Sequence, residues 1–270
     1  MRFSTKQHPY YGGIDLHART MDVCILDPGG ETLLHRNMTA TPEALLKAMA
    51  PYREQIVRAA EGLVTWYWLA DLCAREGLPC VLGHARYMKA IHGGQANNDQ
   101  IDAHNIAVRL RGGLLPPASV SPAPMRATRD LRRRRMHLAH QRAELLAHGP
   151  NTNSQYNLPA LGKKLAEKAN RDGVAERVAD PAVHKSLAVD LALISYDDEL
   201  LGDGARTIVT TATQHNANTL SLLQTVPGIG KILSLVLRYE IHASHRCPRG
   251  QDFVASGRLV QGAKESAGQG

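Results

Sequence analysis

The apolar positions of the first hundred or so residues change period several times. From Tyr10 to Leu16 they alternate among strand formers, Met21 to Asp27 follows with Val23 and Ile25, and Pro28-Gly29-Gly30 supplies a tight turn before Thr32 to Met38. This predicts a three-stranded meander. Thr41-Pro42-Glu43 has the form of a helix start, with threonine as N-cap and proline in the first turn, leading into Ala44 to Ala50. Gln55 to Ala60 is predicted as a short strand. From Thr65 to Glu76 the residues Trp66, Leu69, Ala70 and Cys73 recur at helical spacing, and Gly77 stands where a C-terminal glycine belongs. Leu78 to Leu82 then reads as a buried strand, and Asp99 to Arg111 as a helix carried by Ile101, Ile106, Val108 and Leu110. The predicted order is three strands, helix, strand, helix, strand, helix.

Pro116-Pro117 and Pro122-Ala123-Pro124 form a stiff link, because proline fixes its own φ and biases the preceding residue away from helix. Beyond it a helix is predicted to about His148, Gly149 to Ser154 reads as a break, Lys163 to Arg177 as a basic helix, and Pro181 to Leu201 and Thr207 to Leu223 as two more. Long helices that return on themselves would make an antiparallel coiled-coil arm. The expected divisions are residues 1–118, a helical connector 119–218, and a small, mostly helical segment 219–270.

Composition changes the picture through its distribution. The 270 residues carry a net charge of +7 and 43% apolar side chains, enough to fill a core. Residues 119–180 hold 12 basic against 6 acidic side chains, whereas the segments on either side are nearly balanced. That pattern fits an element gripping a polyanion better than a uniformly basic surface. Arg126, Arg129, Arg132, Arg133, Arg134, Arg135 and Arg142 share the connector helix with only Asp130 and Glu144 as acidic neighbours. Arginine's forked donor suits phosphate, so phosphate contact is favoured over a solvated helix face. With 4% aromatic residues, rows of stacked bases are poorly supported. No apolar run reaches a membrane span and the N-terminus has no signal core, so a cytoplasmic protein without membrane partners is expected. Cys24, Cys73, Cys80 and Cys247 form no CxxC pair and are expected as reduced thiols packed as small hydrophobes.

Four carboxylates fall at telling points. Asp15 is embedded in the apolar strand Gly12-Gly13-Ile14-Asp15-Leu16, where an ionised group is costly unless paired or bound to a cation. Glu61 ends the fourth strand, and Asp99 and Asp102 lie one turn apart at the start of the last helix. Gathered in one pocket, such groups repel one another, and a hard divalent ion offsets the repulsion. Two ions about 3.5 to 4 Å apart would activate a water and stabilise the leaving oxygen in phosphodiester cleavage. Singly, each has a plainer role: Asp15 and Glu61 as turn caps, Asp99 and Asp102 as first-turn acids favoured by the helix dipole.

Near the C-terminus, Val226-Pro227-Gly228-Ile229-Gly230-Lys231 precedes an apolar helix from Ile232. A glycine-bounded turn exposes backbone N–H groups at a helix N-terminus, a ready anion site with the form of a helix-hairpin-helix, with Gly228, Gly230 and Lys231 as phosphate contacts. The alternative is a tight helix connection whose glycines serve packing.

Gly12-Gly13-Ile14-Asp15-Leu16-His17, Ala60-Glu61-Gly62 and Asn98-Asp99-Gln100-Ile101-Asp102-Ala103 resemble the DEDD transposases of bacterial insertion sequence family one-ten. The resemblance implies an α/β, ribonuclease H-like (RuvC-like) N-terminal domain in which Asp15, Glu61, Asp99 and Asp102 bind Mg²⁺ or Mn²⁺, with two ions expected. The C-terminal turn, followed by Asp252-Phe253-Val254-Ala255 and Lys264-Glu265-Ser266-Ala267-Gly268, is similar to that family's second domain, in which a serine is proposed to attack DNA. Ser266 is the matching position. A serine hydroxyl needs an activating base or metal, and the sequence identifies no base. The chain ends at Gly270, before the Lys-x-Gly-Asn segment and further helix usual in the family, so a truncated copy is expected. The family further implies DNA as partner, homo-oligomers and a guide RNA encoded by the element. Three functions are therefore expected in order: a metal-dependent DNA transposase or recombinase with a serine nucleophile, a RuvC-like junction nuclease using water, and an inactive truncated DNA- or RNA-binding remnant.

Overall fold

Five strands form one mixed sheet in the computed structural model, which describes residues 6–61, 65–85, 87–88, 99–159, 161, 164–242 and 247–257. They are β1 (Tyr10–Leu16), β2 (Thr20–Leu26), β3 (Thr32–Thr39), β4 (Ile56–Glu61) and β5 (Cys80–Gly83), in the order β3-β2-β1-β4-β5. The first three are antiparallel neighbours, as the meander pattern predicts, while β4 and β5 run parallel to β1. Parallel neighbours need crossovers. Helix α1 (Pro42–Met49), capped by the Thr41 hydroxyl on the Ala44 N–H, connects β3 to β4, and α2 (Trp66–Arg75) connects β4 to β5.

The central strand is buried along both faces. Ile14, Leu16, Met21, Val23, Ile25, Ile56 and Ala60 pack with Leu45 and Met49 of α1 and with Leu69, Leu72 and Cys73 of α2. On the opposite face, Tyr11, Val57 and Ala59 meet Ile106 and Leu110 of α3 (Asp99–Arg111), and Cys24 and Leu26 meet Ala103 and Ala107. Gly13 sets how closely α3 approaches: a Cβ there would lie 2.0 Å from the Ala103 carbonyl oxygen and 2.6 Å from the Ala107 nitrogen. Backbone cannot move aside as a side-chain tip can. Gly13→Ala is expected to lower stability by about 1–3 kcal/mol in denaturant melts, the usual range for overpacking, and an unchanged midpoint would contradict this close approach.

Residues 1–123 and 124–270 form two compact units. The second is built on α4 (Ala123–Gln155), α5 (Pro181–Gln224), α6 (Lys231–Ile241) and the short α7 (Gly250–Ser256). Its core joins Met125, Ile208, Ala212, Leu220, Leu235 and Tyr239. Three local expectations are corrected. Helix α4 does not break at Gly149 but continues through Pro150 to Gln155. A Cβ on Gly149 would lie 2.8 Å from Leu165 Cδ1, so glycine here admits a packed neighbour and does not end the helix. Within 163–177 the described residues form two isolated 3-10 turns, Lys168–Asn170 and Ala175–Arg177, and no long helix, with Gly173 at φ +74 between them. The helices expected as Pro181 to Leu201 and Thr207 to Leu223 are continuous between Leu201 and Thr207, and the chain is instead kinked at Asn216 (φ -174, ψ 92). No helix among the described residues is long and apolar enough to cross a membrane.

Candidate functional site

Alternation along β1 and β4 decides where their carboxylates point. Tyr11 and Gly13 face α3, so Asp15, two residues further, projects to the same side; Val57 and Ala59 place Glu61 likewise. The parallel register pairs Ile14 with Ala60, which makes Asp15 and Glu61 the next neighbours across the two strand ends. Asp15 is only 5% exposed, and His17 Nε2 lies 3.0 Å from its Oδ2. The Thr65 hydroxyl donates to the Leu16 carbonyl oxygen at 3.0 Å, tying the start of α2 to the end of β1 beside this pair.

Helix α3 supplies the other half. Asp102 is half-buried one residue before Ala103, whose carbonyl oxygen faces Gly13. Two turns along the same helical face stands Arg109. Burial lowers the Arg109 pKa, and the charges of Asp102 and Glu61 raise it, so this guanidinium lies within the field of both carboxylates. Asp99 is the first residue of α3, and its side chain is outside the described part of the structure. Ser266 lies outside the described residues altogether. Among the described residues no three His, Cys, Asp or Glu side chains come together as a group able to hold a metal ion. Asp15 and Glu61 are thus brought side by side, and Asp102 shares Arg109 with Glu61, without the three described carboxylates converging.

Two residues of this face were missed by sequence reasoning. Arg109 passes as an ordinary basic residue in the last turn of a helix. Asp22 is the direct partner of Asp15 across β1 and β2, and is 1% exposed. Asn37 Nδ2 donates to its Oδ2 at 2.6 Å, while Oδ1 is buried without a hydrogen-bond partner. The signal that singles out Asp15, an ionisable group in an otherwise apolar strand, is equally present at Asp22. Directly opposed carboxylates destabilise a strand pair unless positive charge offsets them. The donors are hard oxygens, the type that suits Mg²⁺ or Mn²⁺, so the chemistry of the set fits a divalent ion.

The arginine helix is engaged internally to a degree that composition did not reveal. Arg129, Arg132 and Arg133 of α4 all pair with Glu240 on α6, with Arg133 Nε and Nη2 donating at 3.0 and 2.9 Å. Burial opposes ionisation of Glu240, yet the Arg133 hydrogen bond and the charges of the three arginines prevail and hold its carboxyl at about 2. Arg135 Nε donates to the Leu201 carbonyl oxygen at 3.3 Å, Arg126 is buried, and Arg134 is exposed. Arg142 and Arg171 pair with Asp198 in the same manner, at 2.6 and 2.5 Å. The expectation that Asp130 and Glu144 alone balance this helix is corrected, because its counter-charges come from distant parts of the chain.

Helices α5 and α6 are joined by the turn through Val226-Pro227-Gly228-Ile229-Gly230, with Gly228 at φ +84 and Gly230 as the N-cap of α6. Lys231 is the first residue of α6 and is exposed.

A DEDD transposase model of IS110 elements matches residues 12–148, and a model described as Transposase IS116/IS110/IS902 family matches residues 220–270. The chain belongs to the IS110 family of transposases. No relative among curated proteins matches it. The first match contains Asp15, Glu61, Asp99 and Asp102 together with most of α4, and the second contains the glycine turn and Ser266. DNA is therefore the partner class of this transposase, and transposition and recombination its field of action.

Proposed function

We propose that this IS110-family transposase cleaves and transfers DNA strands with divalent metal held by Asp15, Glu61, Asp99 and Asp102 on a ribonuclease H-like domain. The observation that carries the reading is the placement of buried Asp15 and half-buried Glu61 at the neighbouring ends of parallel β1 and β4, facing α3. Two bound ions would supply charge neutralisation at the phosphodiester and lower the pKa of an attacking hydroxyl. The protein's part is orientation: His17 fixes the Asp15 carboxylate, and the close approach of α3 over Gly13 brings Asp102 near the strand ends. Arg109 places a positive charge where carboxylates crowd and a phosphate arrives.

Ser266 is the nucleophile in this reading. Its Oγ forms a bond to phosphorus as the bond from phosphorus to a sugar oxygen breaks; the serine proton is lost to solvent and the departing sugar oxygen takes one up, leaving a free sugar hydroxyl. Backbone N–H groups of the Gly228 to Gly230 turn, with Lys231, contact a phosphate in the manner of a helix-hairpin-helix. Exposed Arg134 remains available to DNA or to an element-encoded guide RNA, and the active form is a homo-oligomer assembled on DNA. The test is a denaturation-resistant protein–DNA adduct on element-end DNA with Mg²⁺. It is expected with the wild-type chain and absent in Ser266→Ala; cleavage without an adduct in the wild type would favour a junction nuclease that uses water, and nucleic-acid binding without any turnover would favour a non-catalytic binder.

A further inference from the structure

Arg58 lies in β4 with no solvent exposure, on the sheet face covered by α1 and α2. Its Nε donates to Met49 Sδ at 2.7 Å and its Nη1 to the Ile56 carbonyl oxygen at 3.5 Å, while Nη2 is buried without a hydrogen-bond partner. None of its contacts among the described residues is a carboxylate. A guanidinium stays protonated in proteins, so one removed from water demands a counter-charge. The groups beside it able to become anions are thiols. Cys80 is its register partner on parallel β5 and therefore projects from the same face, where Cys73 of α2 lies beside it. Both cysteines line a cavity of about 220 Å³ with Trp66, Leu69, Leu78 and Val120.

We propose that Cys73 is a thiolate nucleophile paired with Arg58, that Cys80 is its resolving thiol, and that the two form a site of reversible oxidation by small hydroperoxides. The proton distribution assigns the roles. The hydrogen bond with Cys80 holds the Cys73 thiol below its ordinary value, with burial opposing and Arg58 assisting. The same hydrogen bond, then burial, pushes Cys80 up, so Cys80 keeps its proton and donates S–H to the Cys73 sulfur. Cys24 is the contrast: burial alone pushes it to about 11.

In the first step the Cys73 thiolate attacks the nearer peroxide oxygen, the O–O bond breaks, and the departing alkoxide or hydroxide takes a proton from solvent. Cys73 becomes a sulfenic acid. Cys80 Sγ then attacks Cys73 Sγ, the S–S bond forms, and the sulfenic oxygen leaves with the Cys80 proton as water. Two thiols have lost two electrons, and one peroxide has become an alcohol, or water, plus a second water. A cavity of this size admits hydrogen peroxide and disfavours a bulky disulfide such as oxidised glutathione. This site is independent of the DNA chemistry and lies on the sheet face opposite the carboxylates.

The test uses the full chain, treated with hydrogen peroxide, blocked with N-ethylmaleimide and digested with trypsin. Cleavage after Arg58, Arg75 and Arg86 puts the two cysteines on separate peptides, 59–75 and 76–86, which are expected to be recovered joined. Cys80→Ser is expected to leave a Cys73 sulfenic acid that dimedone captures. Arg58→Met, folded by circular dichroism, is expected to slow Cys73 oxidation about tenfold at pH 7, the effect of one pKa unit on a mostly protonated thiol. Should that variant fail to fold, iodoacetamide alkylation of wild-type Cys73 against pH decides, with a midpoint expected below the 8.5 or so of an ordinary cysteine. Absence of the linked peptides, an ordinary alkylation midpoint, or an unchanged rate in folded Arg58→Met would each overturn the proposal.

Discussion

Replacing Asp15 with asparagine, or Asp102 with alanine, is expected to reduce Mg²⁺-dependent strand transfer on element-end DNA by about a thousandfold or more, because charge stabilisation at the reacting phosphodiester is lost. Asp15 carries the larger expectation because of its surroundings. It stands directly opposite buried Asp22 on one neighbouring strand and beside Glu61 on the other. Carboxylates so placed repel one another in the absence of a cation, so Asp15→Asn is expected to keep or raise the melting temperature measured without metal. The wild-type chain is expected to gain thermal stability when Mg²⁺ or Mn²⁺ is added, and the variant to gain much less, since a ligand stabilises the state that binds it. Activity and metal-dependent melting therefore fall together while the fold persists. Strand transfer that survives in Asp15→Asn or Asp102→Ala would sink the metal assignment, and loss of activity with an unaltered Mg²⁺ response would place the defect elsewhere.

Glu240 governs the second unit. Its carboxyl is held at about 2 against an ordinary 4.5, with 27% of the side chain exposed. A carboxyl whose pKa is depressed on folding contributes stability above its unfolded value and loses it as pH falls through the folded one. The contribution is thus complete above about pH 5 and disappears between there and pH 2, and a shift of this size corresponds to about 3 kcal/mol. Glu240→Gln is expected to lose most of this at pH 7, because Arg129, Arg132 and Arg133 are then left facing one another without a counter-charge. Asp198, which burial pushes up but Arg171 and Arg142 pull down further, acts in the same direction. Denaturant melts followed by helical circular dichroism at pH 7 and pH 3 check the expectation: wild-type stability should fall with pH far more than that of Glu240→Gln. Equal slopes would show that the cluster contributes little to folding.

That cluster also marks where sequence reasoning lost its grip. Local charge counting finds Asp130 and Glu144 beside the arginines, whereas Glu240 is 107 to 111 residues away from the three that hold it. Proximity in space between α4 and α6 depends on helices packing, which no local window records. The same limit explains the misplaced boundaries of the second unit. Pro150 and Gly149 carry strong breaker signals, yet α4 runs on to Gln155 with Leu165 packed close against Gly149. Tertiary contacts override propensity there, as they commonly do.

The first unit was more legible because its signals are local. Period-two alternation placed β1 at Tyr10–Leu16, the Thr41-Pro42 pair placed the start of α1, and the run from Asp99 to Arg111 is α3 as observed. Asp15 lies inside an apolar strand as its neighbours in sequence predict, since that signal needs only the residues on either side of it. Asp22 carries the same signal and was passed over.

By itself, then, the sequence determined which side chains are candidates for the chemistry and on which elements they lie, because side-chain identity, turn residues and hydrophobic period are properties of short windows. The tertiary structure alone decided which of them meet. A one-residue slip in pairing would send Asp15 or Glu61 to the opposite face, so only the observed register makes them neighbours. Register likewise sets Asp22 across from Asp15 and Cys80 beside Arg58, and helix packing sets Glu240 among three arginines. Each is a relation between distant segments, fixed by burial of two faces at once and by the pairing of charges that burial would otherwise leave exposed to a low dielectric.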